Sequence, residues 1–304
     1  MKKILMSIGS LAMACGLAFG ITACADDGGI TEYAINVAGG GSSVGISQAQ
    51  SGQVELGMAS SKVEGEDAEG IEVYAICQDG IAVIVNNANE LDDLSIAQLT
   101  AIYTGEITDW SGVEGATVTG EIAVAQREDG SGTRDAFLEL IDLKGSTNLV
   151  AAANTSNSTS ALMQYVAGNK QAIGYISLGS LDDSVRAVKI AGVEATADNV
   201  LNGSYTLARP FNVMYQQATM DSNDLLADFF TFLKSSQAHD IIVKEGYVSD
   251  LADAPEYKVP ETLPTTEEID VAGSTSVQPL MAKLADAYTA LLNEAAAADA
   301  EDAA

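Results

Sequence analysis

Two hydrophobic rhythms alternate along this chain. Short runs with a period of two, or wholly apolar, occur at Tyr33–Val37, Val54–Ala59, Tyr74–Asn86, Glu121–Gln126, Ala172–Ser177, Arg186–Ile190, Tyr205–Tyr215 and from Ile269 onward, and these predict strands. Between them apolar residues recur every three or four positions. That spacing predicts helices at Ser95–Tyr103, Arg134–Leu143, Ser160–Val166, Asp224–Lys234 and Gln237–Lys244, with a shorter one starting near Ile46–Gln50. A long final helix follows Pro279, with Leu280, Met281, Leu284, Ala287, Tyr288 and Leu291 on one face and the proline tolerated in its first turn. Strands alternating with helices predict an α/β chain whose parallel or mixed sheets are covered on both sides.

The joints between some of these elements carry the chemistry. Glu121–Gln126 runs through Arg127-Glu-Asp-Gly-Ser-Gly-Thr133 into a helix. Backbone N–H groups left unpaired at a helix start, and the positive end of its dipole, attract an anionic oxygen. Gly130 and Gly132 let the backbone come close, Ser131 and Thr133 add hydroxyl donors, and Arg127 adds a planar guanidinium. An ordinary capped helix after a glycine turn explains any one such stretch equally well. Two further joints repeat the plan: Gly39-Gly-Gly-Ser42-Ser43 after the first strand, and Gly273-Ser-Thr275-Ser276 before the last helix. Three small-residue turns that each open a helix predict several helix N-termini converging on one oxyanion.

These segments resemble, in REDGSGTRDAF, GGGSSVGI, AGSTSVQPL and YTGEITDWSGV, the phosphate-binding proteins (PstS-type) of bacterial phosphate ABC importers, and the likeness runs over about residues 33 to 292. The resemblance implies a two-lobed periplasmic-binding-protein-like (type II) α/β fold with two crossing hinge strands, here near Gly80–Val85 and Leu207–Val213. One lobe is expected to combine residues 30–82, 212–249 and 269–294, and the other residues 83–211. The AGSTS turn belongs to the first strand-helix unit of that family, whereas here it stands near the C-terminus, so the chain reads as a circular permutant. Residues 250–268, with three of the five prolines, are the expected extended linker, and 295–304 an alanine-rich acidic tail, frayed or disordered. A domain-swapped dimer is the alternative to a monomer whose displaced unit packs within its own chain.

Carried over residue by residue, the resemblance assigns phosphate binding to Thr275, Ser276, Ser42, Ser60, Arg127, Ser131, Gly132 and Thr133, with Ser43, Asp129 and Gly130 as neighbouring candidates. Ser60 is a departure. Many members place an aspartate there, which accepts the proton of hydrogen phosphate and repels unprotonated sulfate. A serine both donates and accepts, so selectivity against sulfate or molybdate is expected to be modest. Asp129 is expected to brace Arg127 or its turn.

Composition constrains the setting. Lys2, Lys3 and the apolar run from Ile4 to Ile21-Thr-Ala-Cys24 predict a lipoprotein signal peptide over residues 1–23, with Cys24 lipidated and the folded part held outside the cytoplasm on the membrane; an uncleaved membrane anchor is the other reading. Cys77 is then the one thiol left, with no partner for a disulfide, and reads as a small buried hydrophobe. The formal net charge of −29 argues against a nucleic-acid partner. It does not argue against an anion ligand, because surface repulsion is screened over ~8 Å at physiological salt. A single histidine, His239, which reads as a surface residue, leaves little for a zinc site or a hydrolytic triad, so the expectation is a non-enzymatic receptor without cofactor. Its partners are then inorganic phosphate and the subunits of an ABC permease. A non-transporting surface or interaction protein of the same fold is the alternative class.

Overall fold

The structure is a computed structural model and describes residues 32–152 and 154–302; the leader and Cys24 lie outside them. Strands are β1 (Ala34–Gly39), β2 (Leu56–Ala59), β3 (Glu72–Asn86), β4 (Asp93–Leu94), β5 (Ala123–Arg127), β6 (Asn154–Ser156), β7 (Ala172–Ser177), β8 (Val185–Ile190), β9 (Ala208–Tyr215) and β10 (Glu268–Gly273). Helices are α1 (Ser42–Ser51), α2 (Ile96–Thr104), α3 (Gly132–Leu140), α4 (Thr159–Gly168), α5 (Ala197–Leu201), α6 (Gln217–Ser222), α7 (Asp224–Leu233), α8 (Ser236–Lys244) and α9 (Gln278–Asp302).

One strand serves two sheets. The first half of β3 pairs antiparallel with β9, completing the order β1-β10-β2-β9-β3. From Ile81 onward its second half lies between β7 and β8, in a sheet that continues through β5 to β6. The change of partners falls between Gly80 and Ile81. Ala82 therefore pairs in the second sheet, and β9 from Ala208 pairs in the first, which moves the exchange a few residues from the expected lobe limits of 82 and 212.

Each sheet has its own apolar core, as its strand composition requires. The first gathers Leu56, Met58, Phe211, Phe229, Val271, Leu280, Met281, Leu284 and Tyr288. The second gathers Val83, Leu99, Tyr103, Trp110, Phe137 and Tyr175, with Phe137 stacked on Tyr175 at a centroid distance of 4.0 Å. Cys77 is buried in the first core, where burial pushes its thiol pKa well up.

The C-terminal unit is integral to the first sheet of its own chain. β10 lies parallel between β1 and β2, in register from Ala34↔Glu268 to Gly39↔Gly273 and from Val271↔Leu56 to Gly273↔Met58. Gly273, at φ 141°, passes so close to β2 that a Cβ there would stand 2.2 Å from the Met58 carbonyl oxygen.

Several local expectations are corrected. α1 begins at Ser42 rather than near Ile46, because Gly41 at φ 100° already turns the chain into the helix. α3 begins at Gly132, capped by Ser131, and ends at Leu140 rather than Leu143. The acidic stretch after Glu294 is helical and continues α9 to Asp302, as its alanine content favours, rather than being disordered. The expected linker 250–268 has no regular structure up to residue 267, where β10 takes over at Glu268, yet it is not simply exposed. Tyr257 is buried against Phe232 and Tyr288, its hydroxyl donates to Asp228, and Tyr33 donates to the Pro264 carbonyl at 2.7 Å. His239 is half-buried rather than on the surface.

Candidate functional site

The first turns of α1, α3 and α4 and the turn leading into α9 meet where the two sheets join. Arg127, the last residue of β5, is 3% exposed and lies at the centre. Its Nε and Nη2 donate to the Glu128 carboxylate, both at 2.8 Å, and Nε also to the Ser156 carbonyl at 3.2 Å. With that edge braced, the other edge faces hydroxyls: Nη2 donates to Thr275 Oγ1 at 3.0 Å and Nη1 to Thr159 Oγ1 at 3.3 Å. A planar fork held by a carboxylate on one edge presents its remaining N–H groups in a fixed direction.

Around that edge the hydroxyls form a continuous network. Ser276 Oγ is 2.8 Å from Thr133 Oγ1 and 3.0 Å from Thr159 Oγ1. The Ser276 amide donates to Ser274 Oγ at 3.2 Å, and Ser274 donates to Ser60 Oγ at 2.8 Å. Ser60 in turn donates its amide to Ser42 Oγ at 3.1 Å. Ser42, Ser60, Ser131, Thr133, Ser274 and Ser276 are all at most 3% exposed. Buried hydroxyls are kept only where they find partners, and here they find one another and one arginine. Gly132 permits this packing: a Cβ there would stand 2.2 Å from Ser42 Oγ and 3.0 Å from Ser60 Oγ.

The structure thus brings together Thr275, Ser276, Ser42, Ser60, Arg127, Gly132 and Thr133, with Ser131 buried beneath them as the α3 cap. Ser43 and Gly130 lie at the edge, where Ser43 donates its amide to the Gly130 carbonyl at 3.1 Å and its hydroxyl at 3.3 Å. Asp129 is turned away. Its carboxylate is 95% exposed and pairs with Arg134 at 2.6 Å, so it steadies the turn from outside, while the neighbouring Glu128 braces Arg127.

Besides the Glu128 brace, four participants escaped sequence reasoning. Thr159 and Ser274 carried a visible signal: Asn157-Ser-Thr-Ser160 is another small hydroxyl cluster opening a helix, and Ser274 stands inside the AGSTS turn. Asp79 and Arg209 are charged residues in apolar strand runs, a pattern that calls for a buried partner. They form a buried ion pair at 3.0 Å, and Arg209 also donates to the Ser60 carbonyl at 3.0 Å. Burial pushes the Asp79 carboxyl up to about 6 even with the Arg209 guanidinium beside it.

Chemically the arrangement suits a small anion with several oxygens. It offers neutral donors that also accept, one fixed positive edge and the amides of helix first turns, with no carboxylate in the hydroxyl network. Among the described residues no group of three or more His, Cys, Asp or Glu side chains is placed to hold a metal ion, and no helix is long and apolar enough to cross a membrane.

Comparison with known proteins bears on this geometry. The PBP superfamily domain matches residues 22–237. The phosphate-binding protein PstS 2 of Streptococcus pneumoniae is 39% identical over 178 residues, covering 57% of this chain and 59% of that protein. The phosphate-binding protein PstS of Bacillus subtilis is 32% identical over 221 residues, 70% of each. The chain therefore spans about three fifths of the length of the pneumococcal relative it matches. Among solved structures, a putative phosphate ABC transporter substrate-binding protein with bound phosphate from Clostridium perfringens is 42% identical with a TM-score of 0.66, covering 69% of this chain and 84% of that one. An ABC-type phosphate transport receptor from Vibrio cholerae is 36% identical with a TM-score of 0.57, covering 68% and 85%.

Proposed function

This chain belongs to the PBP superfamily and, within it, to the family of the PstS phosphate-binding proteins, and from that premise we propose that it captures inorganic phosphate and delivers it to an ABC permease. The observation that carries the reading is the convergence of Ser42, Ser60, Thr133, Thr159, Ser274, Thr275 and Ser276, from five separate stretches of chain, on the open edge of Arg127. Each hydrogen bond to a charged group contributes about 1.5–3 kcal/mol. Micromolar affinity needs about 8 kcal/mol, within reach of a handful of such bonds.

In this account phosphate enters between separated lobes and closure about the β3 and β9 crossing surrounds it. The anion favours the closed form by the difference in its affinity for the two forms. Lipid on Cys24 tethers the receptor beside its permease outside the cytoplasm. The order of segments is a circular permutation of the family order, supported by two facts: the superfamily match ends at residue 237, and β10 takes an interior place in the sheet beside β1 and β2.

Titration calorimetry with phosphate and sulfate tests the reading. Phosphate is expected to bind at micromolar or better affinity and sulfate within about a hundredfold of it, because Ser60 can donate to either anion where a carboxylate would repel sulfate. Binding of sulfate or molybdate with no heat from phosphate would overturn the assignment.

A further inference from the structure

Where the chain crosses between sheets, Asp79 of β3 stands opposite Arg209 of β9 in the strand register, one residue before β3 changes partners. Both are buried, at 1% and 2% exposure. Arg209 Nε and Nη2 donate to Asp79 Oδ2 at 3.1 and 3.0 Å. Asp79 Oδ1 accepts from Ser177 Oγ at 3.0 Å and from the Leu178 amide at 3.2 Å, both at the end of β7 in the second sheet. The remaining arm of Arg209, Nη1, reaches the Ser60 carbonyl at 3.0 Å in the first sheet. Ser60 is bonded on its other side to Ser42 and Ser274. A single chain of buried hydrogen bonds thus runs from the second sheet, through the crossing, to the hydroxyls of the anion site.

A buried ion pair is a poor means of gaining stability, since desolvating two charges offsets most of their attraction, and apolar residues of similar volume often serve as well. What such a pair does supply is direction. We propose that Asp79 and Arg209 are positioning residues that hold Ser60 in the anion site and couple its placement to the junction of the two lobes, so that ionised Asp79 is required for full phosphate affinity. The inference rests on the phosphate reading above.

The charge state of Asp79 is set by what surrounds it. Arg209 faces it from β9, Cys77 from its own strand, Tyr205 from the segment before β9 and Tyr247 from the segment after α8, while Arg127 acts on Arg209 from β5. Burial outweighs the arginine and raises the carboxyl to about 6. Above that pH the carboxylate fixes Arg209. Below it the acid is neutral, Arg209 is less firmly held, and the Ser60 carbonyl loses a fixed donor.

The test is phosphate calorimetry on the full chain and on D79N and R209K at about pH 7.5 and pH 5. R209K keeps the charge, and so the pairing of Asp79, but loses the forked reach to Ser60. Both variants are expected to bind about tenfold more weakly than the unaltered chain at pH 7.5. At pH 5 the D79N difference is expected to shrink toward one; dividing the two affinities at each pH cancels the titration of phosphate itself. Thermal melts identify a variant that does not fold, in which case the other variant alone decides. If R209K binds as the unaltered chain does at pH 7.5, or D79N keeps a constant ratio between the two pH values, the positioning role is wrong while the phosphate reading stands. If the unaltered chain gives no heat with phosphate, both fall.

Discussion

The turns at Arg127–Thr133 and Gly273–Ser276 supply the same kinds of group to one site, yet they depend on the chain in opposite ways. The first is nearly self-sufficient. Within seven residues it carries the arginine, its Glu128 brace, the Ser131 cap and the opening of α3. The second is worth nothing alone: Thr275 and Ser276 reach Arg127 and Thr133 only because β10 is threaded between β1 and β2. One half of the site is built by local sequence and the other by topology.

The most severe way to break that comparison is to remove residues 268–304. This strips β10 from the middle of its sheet and takes Leu280, Met281, Leu284 and Tyr288 out of the first core. Large-to-small changes at single core positions already cost about 2–5 kcal/mol, so the truncated chain should lose its cooperative melt by circular dichroism together with all phosphate binding. Fusing 268–302 through a short linker ahead of residue 32 should restore both. Failure of that rearranged chain to fold would count against the permutation.

Next in size is Arg127→Ala, which removes the guanidinium that donates to the Thr159 and Thr275 hydroxyls and leaves Glu128 without its partner. Phosphate affinity should fall by at least about a hundredfold, as expected for loss of several charge-assisted bonds, while the second core, which does not include Arg127, keeps its melting transition. Gly132→Ala attacks the packing of the Arg127 turn against the first turn of α1, since its Cβ would displace Ser42; about a tenfold loss in calorimetry is expected. Thr159→Val removes one partner each of Arg127 and Ser276 and should cost a few-fold, on the order of 1 kcal/mol. At the bottom of the scale, Asp129→Asn loses an exposed pair with Arg134 and should change affinity and stability by less than about 0.5 kcal/mol.

The same contrast explains what could be read from sequence. The Arg127 turn was legible because its residues are contiguous and its helix follows at once. Ala172–Ser177 was legible as a strand for a similar reason, a wholly apolar run with clear ends. The start of α1 was missed because Gly39-Gly-Gly41 reads as a turn, whereas only Gly41 adopts the positive φ and Ser42 is already helical. The choice between Asp129 and Glu128 as the brace depended on side-chain direction, which adjacent acidic residues do not reveal. The Asp79–Arg209 pair joins positions 130 residues apart, and only the register of β3 against β9 makes them neighbours. The path of 250–268 was hidden because its prolines and charges suggest exposure, while the single Tyr257 anchors it beneath Phe232 and Tyr288.

The central claim is that turns distant in sequence surround one tetrahedral anion. A crystal structure grown with phosphate tests it most directly. The account predicts one phosphate within hydrogen-bonding distance of Arg127, Thr133, Ser42 and Ser276 together. A phosphate bound elsewhere, or one touching the Arg127 turn with Ser276 on a separate face, would contradict it.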